Sequence, residues 1–69
     1  MPITMANTGD VVYIKKILGS DAVRNHLAEL GFVVDAEVKV IKEIEGSMIL
    51  QVHGAKVALS KSMANRIII

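Results

Sequence analysis

Between Ala36 and Leu59 apolar side chains recur at every second position in segments separated by turn-forming pairs, and that period restricts this half of the chain to β-strands. Ala36, Val38 and Val40 alternate with Glu37, Lys39 and Ile41. After the turn pair Glu45-Gly46, Met48, Leu50 and Val52 alternate with Ile49, Gln51 and His53. Gly54-Ala55 reads as a tight connection, and Lys56-Val57-Ala58-Leu59 returns as a third strand. Successive side chains of a strand point to opposite faces, so each of these strands has one face to bury. Val11 to Ile17 is β-branched and aromatic enough for an earlier strand, with Val12 and Ile14 on one face and Val11, Tyr13, Lys15 and Ile17 on the other. Arg66 to Ile69 closes the chain as a last short strand, and residues 1 to 10 read as a lead-in that ends in the turn cluster Asn7-Thr8-Gly9-Asp10.

One segment follows a different period. Ser20 is a good helix N-cap, and Asp21 suits the positive end of a helix dipole. Val23, Leu27 and Leu30 then recur as the apolar stripe of an amphipathic helix. Gly31 predicts the stop, because a helix ends most easily on a residue that adopts positive φ without strain. Phe32 follows where an apolar side chain folds back onto Leu27. Ser60 caps a shorter helical turn through Met63 and Ala64.

A chain of 69 residues is one domain. It buries only about 60% of its unfolded surface, so its core must be dense in apolar residues. A hydrophobic content of 52% meets that demand, and with no cysteine the fold has neither disulfides nor thiolate metal sites, as suits a reducing cytoplasm. Neither a signal peptide nor an apolar run of the ~20 residues that span a bilayer is visible. The expected architecture is mainly β: a small SH3-like barrel of about five antiparallel strands, with one α-helix after the first strand and a short helical turn before the last.

Most chemistry is excluded by what the chain lacks. Glycines occur in isolated pairs, with no phosphate-cradling loop. The serines have cap or turn explanations, and no nucleophile, base and orienter stand out, so no enzyme activity and no cofactor are expected. The two histidines, His26 and His53, are fewer than a metal site generally needs, and spacing does not bring Glu29, Asp35 or Glu37 to them; solvated histidines are the simpler reading and no metal site is assigned. Net charge is +1 with signs interleaved, as in Glu37, Lys39, Lys42 and Glu43, and the only aromatics are Tyr13 and Phe32, which argues against nucleic-acid binding. The apolar surplus is more informative. Ile41 and Ile49 fall opposite the expected core, and Phe32-Val33-Val34 follows the helix, either as core filling or as an interaction surface.

Three segments together resemble the FeoA family, small cytoplasmic accessory proteins of ferrous-iron uptake. Gly9-Asp10-Val11-Val12-Tyr13-Ile14 is similar to the family's opening glycine and strand. Arg24 to Phe32 resembles its helix with a Leu-Gly-apolar ending, and Val57 to Ile67 its closing strand, short helix and final strand. Where the family usually carries a Pro-Gly turn after the helix, this chain has Val34-Asp35. The resemblance implies an SH3-like barrel and non-enzymatic binding to a FeoB-type membrane transporter with a cytosolic GTP-binding domain, without membrane insertion and with room for weak self-association. The candidate partner surface is the helix flank and following loop: Arg24, His26, Glu29, Phe32, Val33 and Val34. The alternative is a ferrous-iron-sensing module related to the C-terminal SH3-like domain of iron-dependent repressors.

Overall fold

In the computed structural model, which describes residues 1–69, the chain runs through a 3-10 turn (Ile3–Met5), β1 (Val11–Tyr13), β2 (Lys16–Ile17), α1 (Asp21–Glu29), β3 (Glu37–Ile44), β4 (Ser47–Val52), β5 (Ala55–Ser60), α2 (Lys61–Ala64) and β6 (Ile67–Ile68). The period-two half forms the antiparallel meander its alternation predicts. Val38 pairs with Val52, Val40 with Leu50, and Met48 with Leu59, which puts these six side chains on one buried face. The register slips between Val40 and Lys42, so Ile41 is the extra residue of a β-bulge and sits half-buried. The β4–β5 turn falls on His53-Gly54 rather than Gly54-Ala55: both residues have positive φ, 50° and 77°, the twist that best joins two strands.

The expected strand from Val11 to Ile17 divides in two. β1 pairs with β3, whereas β2 pairs with β6, giving a four-stranded sheet β1-β3-β4-β5 and a two-stranded one. The switch occurs at Ile14-Lys15, where the Ile14 N–H donates to Ala36 and the next N–H, of Lys15, donates to Ile68. Ile14 is buried at this corner, and that burial drives the chain to bend around the core rather than run flat. There are thus six short strands in two antiparallel sheets, and no ladder joins β5 back to β1, β2 or β6, so the barrel is not closed.

Helix α1 begins and ends where its caps place it. The Ser20 hydroxyl accepts from the Val23 N–H, Gly31 donates to Ala28, and Phe32 donates to the Leu27 carbonyl at 2.9 Å. Those last two bonds make a Schellman motif around Gly31, whose φ is +103°. Its apolar partner, Phe32, is only 1% exposed and packs in the same core as Leu27. Beyond it, Asp35 adopts φ of 71° and its N–H donates to Ile14. Aspartate tolerates that left-handed geometry, so the turn forms without the glycine.

Residues 1 to 10 are more than a lead-in. Ile3 is fully buried and Ala6 nearly so; Pro2 bridges to Ile68, and the Ile69 N–H donates to the Met1 carbonyl. The Thr4 hydroxyl reaches Asn65 beyond α2. In a domain with 14 buried residues, every one apolar, two come from this segment, so it closes one end of the core.

Candidate functional site

A helix advances about 100° per residue, and α1 uses its circumference three ways. Val23, Leu27 and Leu30 face the core. Arg24, Asn25 and Ala28 form one flank, which is the wall of an open groove of ≈ 430 Å³. The opposite wall is the β1–β2 corner, contributing Lys15, Lys16 and Ile17, and the loop Phe32-Val33-Val34 closes the end. Backbone bonds from Ile14 to Ala36 and Asp35 hold that loop against the corner.

The groove brings together Arg24, Val33 and Val34 of the six residues singled out from the sequence. His26 and Glu29 are exposed but lie around the helix from Arg24 and do not line it. Phe32 borders the groove while its side chain, 1% exposed, packs in the core, so it backs the groove rather than presenting its ring there. The ambiguous run Phe32-Val33-Val34 therefore divides, with one residue inside and Val33 and Val34 exposed by 43% and 55%. Lys15, Lys16, Ile17, Asn25 and Ala28 were missed. The signal for the first three was the Lys15-Lys16 pair, which a continuous strand would have sent to opposite faces.

Charge is uneven across the groove. Arg24 pairs with Asp21 at 2.5 Å within the helix, but both side chains are largely exposed, so the pair holds loosely. The only other ion pair, Lys61 with Glu43 at 2.7 Å, ties α2 to the β3–β4 hairpin. Lys15 and Lys16 have no carboxylate partner.

A second cleft, ≈ 390 Å³, lies on the outer face of the meander between Val11, Glu37, Lys39, Gln51 and the His53-Gly54 turn. Beside it the Tyr13 hydroxyl donates to Glu37 at 2.9 Å, and that bond to a carboxylate holds the phenol's pKa above its ordinary value. His53 and Glu37 share this cleft, but nowhere do three His, Asp or Glu side chains converge as a metal would require. No serine hydroxyl bonds a histidine; Ser20 and Ser60 cap helices, and Ser60 and Ser62 contact each other at 3.1 Å.

The FeoA domain family matches the chain along residues 1–69, its whole length. The chain belongs to the FeoA family. It is 26% identical over 68 residues to a Methanocaldococcus jannaschii protein named for Fe(2+) transport, covering 99% of this chain and 83% of that one. A solved FeoA from Stenotrophomonas maltophilia, a zinc complex described as an SH3 domain protein, superposes with a TM-score of 0.84 at 26% identity, covering 99% of this chain and 87% of the other. The SH3-like fold expected from the sequence is thereby established. A manganese-dependent transcriptional repressor superposes with a TM-score of 0.88 at 20% identity, matching 97% of this chain but 39% of its own, a likeness of fold alone. No helix of this FeoA protein is long and apolar enough to cross a membrane.

Proposed function

We propose that this FeoA protein is a non-enzymatic accessory subunit of ferrous-iron uptake in the cytoplasm, and that it docks through the α1 groove onto the cytosolic portion of a FeoB-type transporter. The observation that carries this reading is the pairing of exposed Val33 and Val34 with a concave wall of α1. Concave, partly apolar clefts are where partner segments bury area most efficiently. Family membership and the iron-transport name of the archaeal relative supply the process. Replacing Val33 and Val34 with serine removes apolar contact without touching the core. Co-purification of tagged protein with the transporter should drop sharply for the double variant while its melting curve stays near that of the wild type. A folded double variant that co-purifies as well as the wild type would remove the groove from the docking reading.

A further inference from the structure

We propose that the segment filling the α1 groove is a short acidic stretch of the partner protein with interspersed aliphatic residues; this rests on the docking reading above. Of the eight basic residues in a chain of net charge +1, three line this one groove, and no carboxylate does. Lys15 and Lys16 are exposed and unpaired, and Arg24 is held only by an exposed intrahelical contact. Lys15 and Lys16 are therefore free to meet an incoming anion, which would share Arg24 with Asp21. Between them the surface is aliphatic, formed by Ile17, Val33 and Val34. An occupant must supply negative charge opposite the cations and small apolar side chains opposite the aliphatics, which an acidic–aliphatic peptide does in one short length.

Two other anionic occupants fit less well. Single-stranded nucleic acid gains much of its affinity from stacking on aromatic side chains, and the one aromatic at the groove, Phe32, has its ring buried. An anionic bilayer presents a broad surface, whereas the cations and aliphatics here are confined to one groove lined by 9 residues, a footprint that suits a short segment better.

The acidic occupant has a salt signature that a purely apolar one lacks, since exposed charge pairs are screened as ionic strength rises. Two measurements on the full chain separate its failure from failure of the docking reading. The first is affinity for the purified cytosolic portion of the transporter, as a function of salt, for wild type and Lys15→Glu/Lys16→Glu. Reversing these two charges should weaken binding about tenfold or more at low salt and flatten the salt dependence. Absence of any wild-type binding overturns docking itself. Wild-type binding that ignores both salt and the double reversal overturns the acidic occupant alone. The second measurement is an amide NMR titration with a short peptide alternating glutamate and leucine, its lysine–leucine counterpart, phosphatidylglycerol vesicles and a single-stranded DNA oligonucleotide. Shifts at Lys15–Ile17 and Phe32–Val34 with the glutamate peptide, and not with the lysine peptide, are expected. Equal shifts with both peptides, none with either, or a stronger groove response to vesicles or DNA would overturn the proposal.

Discussion

Replacing Gly31 with alanine strikes the joint between helix and barrel, and its cost has two separable parts. Gly31 has φ of +103°, and a side chain forced to positive φ costs about 1–2 kcal/mol. The new Cβ would also stand 2.9 Å from His53 Cδ2, well inside the ~3.5–4.0 Å at which carbons sit comfortably. Relieving that contact means turning the His53 ring off the helix end, an overpacking cost of about 1 kcal/mol, at the low end because His53 is exposed. Domains of this size are stable by only about 3–10 kcal/mol, and each kcal/mol moves the melting temperature by about 4–8 °C. Gly31→Ala should therefore melt about 10–20 °C below wild type, followed by circular dichroism. Measured against His53→Ala alone, which carries its own cost at φ of 50°, Gly31→Ala should lose only the backbone share. A neutral Gly31→Ala, or full rescue by His53→Ala, would refute the assignment of strain to this turn.

Other substitutions test the division between core and surface. Phe32→Ala should cost about 3–5 kcal/mol and largely unfold the domain in a urea titration, whereas Val33→Ser should stay within about 0.5 kcal/mol of wild type. Ile3→Ala should cost about 2–5 kcal/mol; a change too small to measure would return the first residues to the status of a lead-in. Tyr13, the single tyrosine in a chain without tryptophan, should titrate by ultraviolet absorbance above its ordinary value of 10.0, and Glu37→Gln should bring it back toward that value. Because the folded pKa is raised, this hydrogen bond's contribution to stability is complete below the unfolded value and is lost as pH rises through the folded one. Stability that does not fall in that alkaline window more steeply than in Glu37→Gln would contradict the bond.

Local features of the fold were legible because local physics sets them. Ser20 and Gly31 delimit α1, and alternation along β3 and β4 names the buried face, since neither depends on distant contacts. The split at Ile14-Lys15 was not legible: it arises because two consecutive N–H groups find partners in different sheets, which no period within the strand encodes. The burial of Ile3 is likewise set by β6 and α2, far along the chain. The candidate surface was half legible for the same reason. Arg24, Val33 and Val34 are near one another in sequence and line one groove, while Lys15 and Lys16 reach it only through the corner. His26 points away from the groove and Glu29, one turn on from Asn25, stands at the edge of its wall without lining it.

Hydrogen–deuterium exchange of this FeoA protein, alone and bound to the cytosolic portion of a FeoB-type transporter, locates the contact without any substitution. Docking through the α1 groove predicts slowed exchange at Lys15–Ile17, along the Arg24–Ala28 flank and at Phe32–Asp35. Protection confined to the outer face of the meander, around Glu37, Lys39 and His53, would contradict it.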